Sequence, residues 1–198
     1  MNIDKIQRLP YMHIRNIILP LLLTVCALHA ERNVGIDINS KDVEVITSFS
    51  LNQLNYYTDG TNYVIDASYL HTENNTLTTI GFSGENAFQG IQGLSLSFGL
   101  KAAIASDFIA LPLYAKAIYR LPLNDRVPPT YLTTSFAYAP SVLSFSDAES
   151  YTEFRFEADM EVISNIHIFT GYRNINTKFI DTKKTWDNHF YAGLKFSF

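Results

Sequence analysis

Polar and apolar residues alternate strictly over long stretches of this chain, and the alternation predicts strands. The clearest case is Tyr151 to Val162. Glu153, Arg155, Glu157, Asp159 and Glu161 fall on one face, and Thr152, Phe154, Phe156, Ala158, Met160 and Val162 on the other. A helix would spread those five charges around its circumference, whereas a strand separates the two classes completely. Leu94 to Ile104 sets Leu94, Leu96, Phe98, Leu100, Ala102 and Ile104 against Ser95, Ser97, Gly99, Lys101 and Ala103. Leu113 to Leu121 places Lys116 and Arg120 on one face and Leu, Ala, Ala, Tyr and Leu on the other. The last nine residues put Phe190, Ala192, Leu194, Phe196 and Phe198 on a single face. Weaker patterns at Val34–Ile38, Val43–Leu51 (running on toward Tyr57), Asn62–His71, Thr76–Ser83, Thr130–Tyr138 and Ile166–Ile175 bring the expected count to ten strands, with the last at Asn188–Phe198. Turn chemistry separates them: Asp59-Gly60, Asn74-Asn75, Ser106-Asp107 and Ser164-Asn165 suit tight links, and Pro128-Pro129 marks a connection.

The N-terminal segment changes what those strands imply. Met1 to Ala30 has a basic first part (Lys5, Arg8, Arg15), an apolar run from Ile17 to Leu28, and small residues Ala27 and Ala30. This is the layout of a secretory signal peptide, complete from either Met1 or Met12. The apolar run is too short for a spanning helix and is interrupted by Pro20. A lipoprotein signal around Cys26 is disfavoured by the bulky Val25 before it. No later segment has the run of about twenty apolar residues that a spanning helix needs. The expected organisation is therefore 1–30 signal peptide and 31–198 one β-domain. An exported chain of this kind enters a membrane only as a closed barrel, because open sheet edges are not satisfied in lipid. The expected fold is an all-β, antiparallel, up-and-down transmembrane β-barrel of about ten strands, or eight if Val34–Ile38 and one weak strand are lost.

Charge and cysteine content narrow the function. The net charge is −4 for the whole chain and about −6 once Lys5, Arg8, Arg15 and Asp4 leave with the first segment. An acidic chain without a basic patch argues against nucleic acid. Cys26 is the sole cysteine, so residues 31–198 carry no disulfide and no thiol chemistry. A charge facing lipid is costly, so Lys101, Lys116, Arg120, Glu153, Arg155, Glu157, Asp159, Glu161, Arg173 and Lys195 are expected to face the lumen. An interior ion network that plugs a small barrel is favoured over a polar conduit. Phe190, Leu194, Phe196 and Phe198 match the terminal signal read by the bacterial outer-membrane assembly machinery.

The segment Tyr138-Ala-Pro-Ser-Val-Leu-Ser-Phe-Ser-Asp-Ala-Glu-Ser-Tyr151, followed by Glu153, by Gly171-Tyr172-Arg173-Asn174-Ile175 and by a closing strand ending in Phe, resembles the YfaZ family of bacterial outer-membrane proteins. Tyr69-Leu70-His71 and Gly99-Leu100-Lys101-Ala102 fit the same pattern. The resemblance implies an outer-membrane barrel in a Gram-negative envelope. It implies no activity and no catalytic residues.

No catalytic set converges in the sequence. His71, His167 and His189 are the histidines beyond residue 30, and no Gly-x-Ser-x-Gly context marks a nucleophile. Asp147, Glu149, Asp181 and Asp187 would supply an acidic outer rim, but their spacing matches no calcium loop and solvated loop acids are the preferred reading. The expected function is a small outer-membrane barrel, structural or weakly porin-like, with no cofactor and no catalysis. Its partners would be outer-membrane lipid, lipopolysaccharide and the assembly machinery. The alternatives are a lipid- or lipopolysaccharide-modifying enzyme using His71 or His189, or a soluble periplasmic β-sandwich or lipocalin-like binder.

Overall fold

A computed structural model describes residues 32–52, 60–73, 75–124 and 126–198. The signal-peptide reading of residues 1–30, the extension of the second strand toward Tyr57, and the turn residues Asp59 and Asn74 lie outside the described residues. Twelve strands follow in order: β1 (Arg32–Ile38), β2 (Val43–Ser50), β3 (Asn62–His71), β4 (Thr76–Ala87), β5 (Leu94–Ile104), β6 (Phe108–Ala110), β7 (Leu113–Arg120), β8 (Thr130–Ala139), β9 (Ser144–Ser146), β10 (Ala148–Ile163), β11 (Ile166–Phe179) and β12 (Lys183–Ser197). Ten of them pair antiparallel with their neighbours and close into a barrel, since β4 bonds to both β3 and β5 and β1 bonds to both β2 and β12. All ten expected strands are present. The eight-stranded alternative is excluded, because Val34–Ile38 lies in the strand that joins β2 to β12. The short β6 and β9 pair with each other beside the β5 end.

Closure fixes where each face of a strand points. On β10, Glu153 and Asp159 are buried while Phe154 and Phe156 are exposed. On β5, Lys101 and Ala103 are buried while Phe98 and Leu100 are exposed. Alternation places the polar set in the lumen and the apolar set on the outer wall.

The two longest gaps between the expected strands, Ala139–Ser150 and Asn176–Asp187, hold structure of their own. Asn176–Asp187 is not a long polar loop: β11 runs to Phe179, β12 starts at Lys183, and only three residues join them. Ala139–Ser150 is not open loop either, since it holds a single 3-10 turn at Ser141–Leu143, β9 and the start of β10. The β12 extension was hard to read because of a bulge. Ile175 pairs with Asp187 and Asn176 with Thr185, so Trp186 is the extra residue. Trp186 and Asp187 are both buried, and the inward parity changes between them.

The long ends of β10, β11 and β12 rise beside the β5–β7 connection, at the end of the barrel opposite the C-terminus. There Leu70, Leu77, Phe108, Tyr151, Ile175 and Trp186 form a buried apolar cluster. Phe108, carried in on β6, lies 5.9 Å from the Tyr151 ring and 5.6 Å from the Trp186 ring. Trp186 Nε1 donates to Thr177 Oγ1 at 3.0 Å, which satisfies its one polar atom. Lys184 lies 3.8 Å over Trp186 and donates to Asp107 and Asn75, lacing three connections together. Burial alone would raise the Asp107 carboxyl, but the hydrogen bond and charge of Lys184 outweigh it and hold it below the usual carboxylate range. This cluster caps the lumen at that end.

Small residues let bulky ones cross the lumen. A Cβ on Gly171 would stand 2.4 Å from the Phe156 carbonyl oxygen and 2.6 Å from the Tyr191 hydroxyl. A Cβ on Gly81 would meet nothing closer than 3.7 Å. Gly171→Ala is therefore expected to lower barrel stability by about 1–3 kcal/mol, and Gly81→Ala to leave it unchanged within error. Thermal melting followed on unboiled gels checks the contrast.

Candidate functional site in the lumen

The lumen below the apolar cap is filled by paired charged side chains. Glu44 projects from β2 across the barrel, fully buried, and meets two arginines. Arg155 donates to it with both terminal nitrogens, at 2.6 and 2.9 Å. Arg173 Nη1 bonds the same carboxylate. Arg155 and Arg173 are direct cross-strand partners on β10 and β11, so two like charges stand side by side. Shared carboxylates between them turn repulsion into a network. Arg173, with no exposed surface, also donates to Asp187 at 2.6 Å and to Asp37 at 3.2 Å. Arg155 Nε donates to Glu153 at 2.6 Å. Lys101 and the Tyr151 hydroxyl donate to Glu153 at 3.0 and 2.8 Å. Nearer the C-terminal end, Lys195 donates to Glu157 at 3.1 Å and Asp159 at 2.7 Å.

The ten charges singled out in the sequence divide as follows. Glu153, Asp159, Arg173 and Lys101 are buried in the lumen. Arg155, Glu157, Lys116 and Lys195 line its cavity. Glu161, near the β10–β11 turn, accepts the Asn165 amide at 3.2 Å. Arg120 shares the inward row of β7 but ends exposed at the rim. Sequence reasoning misses Asp37, Glu44 and Asp66, which lie on the weakly patterned β1, β2 and β3. The signal was there, since Glu44 sits between Val43 and Val45, and Asp37 between Ile36 and Ile38. Asp187 is not the solvated loop acid that the sequence suggests. It is 1% exposed and paired with Arg173, because β12 runs back past it and it shares the inward parity of Tyr191, Gly193 and Lys195. His189 lies six residues inside β12, with Nδ1 2.8 Å from Asp187.

Two constellations resemble chemical sites. Asp42, Asp187 and His189 bring one ligand atom each within 4.8 Å of one another, a set able to approach a metal ion. Asp187 is already held by Arg173 and Asn39, and Asp42 by Asn39. Asp159, His167 and Ser197 line up as acid, imidazole and hydroxyl, at 2.6 and 3.4 Å. The hydroxyl is engaged instead with Asn33 at 2.6 Å, and Asp159 is shared with Lys195. His71 is exposed at the end of β3.

The terminal residues Phe190, Leu194, Phe196 and Phe198 all stand exposed on the outer wall, Phe190 to 77%. Phe190 and Phe154 flank Tyr172 with ring centres 5.3 and 6.5 Å away. They form part of an outer aromatic face.

Fold and lumen together define a closed ten-stranded antiparallel barrel with an apolar wall and an ionic interior. Residues 114–198 match a family model described as YfaZ precursor, the family that the sequence motifs resemble. The match runs from β7 to the end of the chain. A solved structure titled "Bacterial polysaccharide outer membrane secretin" is similar with a TM-score of 0.43 and 9% identity, over 79% of this chain and 55% of that one. The chain thus spans about half the length of that protein. Comparison with curated proteins gives no match.

Arg155→Met removes the cation that Glu44 and Glu153 share. Breaking a buried network from one side costs about 3–5 kcal/mol. The expected outcome is a barrel that still forms but melts markedly earlier. Heat-modifiability on gels and the loss of strand signal in circular dichroism measure it.

Proposed function

We propose that this protein is a small outer-membrane barrel whose role is structural, with a lumen closed to conduction and no catalytic activity. The observation that carries the reading is the outer wall. Phe82, Phe98, Leu113, Phe136, Phe156, Ile168 and Leu194 are exposed on seven successive strands of a closed barrel, while the inward rows carry the charges. Such a wall in water would be an apolar surface far larger than soluble proteins expose. In lipid it is the expected surface of a barrel. Among the described residues no helix is long and apolar enough to cross a membrane, so crossing would fall to the strands.

The closed lumen supports the structural side of the reading over a porin-like one. The apolar cap blocks one end and the Glu44–Arg155–Arg173 network fills the middle. The outward Phe190, Leu194, Phe196 and Phe198 are the residues that the assembly machinery would read, and lipid and lipopolysaccharide would be the wall's partners. The first segment would direct export.

Membrane fractionation with a heat-modifiability gel tests the proposal. A shift on boiling in the outer-membrane fraction supports it, and a freely soluble periplasmic protein would end it. Planar-bilayer recording should give no steady conductance. Phe156→Arg places charge in lipid at about 2–4 kcal/mol near the midplane, and should impair insertion. Single cysteines give the orientation: position 156 should react with lipid-soluble probes and position 155 should not. Ser197→Ala should leave folding, localisation and any lipid turnover by the membrane fraction unchanged. A hydrolysis lost in that variant would reopen the enzymatic reading.

A further inference from the structure

A cavity of about 260 Å³ remains in the lumen, on the C-terminal side of the ionic network. Its wall includes Asn33 and Ser48, close to the end where the C-terminus lies, and it reaches inward to Lys101 and Arg155. The apolar cap closes the opposite end of the barrel. The cavity is therefore a cup, entered from the end that holds the C-terminus.

Six charged side chains line the cup: Asp66, Lys101, Lys116, Arg155, Glu157 and Lys195. Four of them are neutralised at hydrogen-bond distance. Lys101 meets Glu153, Arg155 meets Glu44 and Glu153, and Lys195 meets Glu157. Two are left without a hydrogen bond among the described residues, and they have opposite signs. Asp66 has no hydrogen-bond or ionic partner among the described residues, and its Oδ2 is shut away from water with no donor beside it. Lys116 has one ionic contact, 3.9 Å from Glu85, and no hydrogen bond among the described residues. A carboxylate without a donor is costly in such surroundings, and an ammonium wants an acceptor. Elsewhere the lumen spends its carboxylates on cations, so this pair stands apart.

We propose that the cup is a binding site for a small zwitterion carrying a primary ammonium and a carboxylate, of the size of an α-amino acid. The ligand's ammonium donates to Asp66 and its carboxylate accepts from Lys116. Gly81, the cross-strand partner of both Asp66 and Lys101, leaves the wall open beside the carboxylate. The volume lies just below the usual range for small-molecule pockets, which limits the ligand to a compact molecule. The proposal rests on the barrel reading only for the direction of entry.

The test uses the full-length protein, exported and folded in detergent, and titrates it with each of the twenty common α-amino acids. Propionate and propylamine, each carrying one of the two charges, serve as controls. Calorimetry and thermal melting are the readouts. At least one amino acid should bind and raise the melting temperature, with neither control doing so. Asp66→Asn and Lys116→Met should each weaken binding at least tenfold, while Arg120→Met, at the rim, should not. The unboiled gel verifies that each variant is folded. If either variant fails to fold, Thr133→Cys, whose half-buried side chain lines the cup, supplies the second readout. The bound amino acid should slow its labelling by a small aqueous thiol reagent. No binding by any amino acid up to tens of millimolar would overturn the proposal. So would equal binding of the single-charge controls, or binding retained in both folded variants. Loss of heat-modifiability in the parent would instead count against the barrel reading, so the two failures are distinct.

Discussion

Glu44 is the point on which the interior turns. Arg155 and Arg173 face each other across adjacent strands, and within the β10–β11 hairpin Glu153 pairs with Arg155 but no carboxylate bridges the two. The resolving carboxylate comes from β2, more than a hundred residues earlier in the chain. The two strands therefore have a stable inner face only when the barrel is closed and β2 is opposite them. Around this contact the remaining ions fall into place: Asp37 and Asp187 on Arg173, Glu153 on Arg155, and Lys101 on Glu153. Desolvating so many charges is costly, and mutual pairing offsets most of that cost. What the arrangement contributes is uniqueness of register, since a one-residue slip would turn each charge into the lipid-facing wall.

The architecture was legible because barrel strands carry the plainest of patterns. Glu153 to Glu161 and Lys101 declare their face by alternation alone, and the ten strands follow from the same rule. The extents of β11 and β12 were not legible. Polar residues from Asn176 to Asp187 read as loop, although they form the ends of two strands that rise over the cap. The bulge at Trp186 breaks the period of two, so Lys184 and Trp186 turn inward at even positions whereas Asp187 and Tyr191 do so at odd ones. Pairing partners were invisible for a different reason. Alternation tells which way Glu44 points but not which residue stands across the lumen, because that depends on strand order and shear. The cup was equally hidden, since it is defined by what remains unpaired after all other ions have found partners.

The interior has three zones in sequence along the barrel axis. An apolar cap comes first, then a neutralised ion layer, then a polar cup. Each uses the same inward row of alternate residues, so function varies along the strand while fold is maintained across it. The Asp159–His167–Ser197 line lies at the cup's end of this series, where hydroxyls and amides take over from ions.

The β1–β12 contact is short. It joins six residue pairs, whereas β11 and β12 share thirteen. That contact is the seam at which the first strand meets the last, the edge with least backbone bonding to hold it. Asp37 lies on β1, one residue from the end of that seam, and grips Arg173 two strands away. Glu44 does the same from β2. The side chains thus fasten from the inside what the backbone holds only lightly, and the charged interior serves as the clasp of the cylinder as well as its filling.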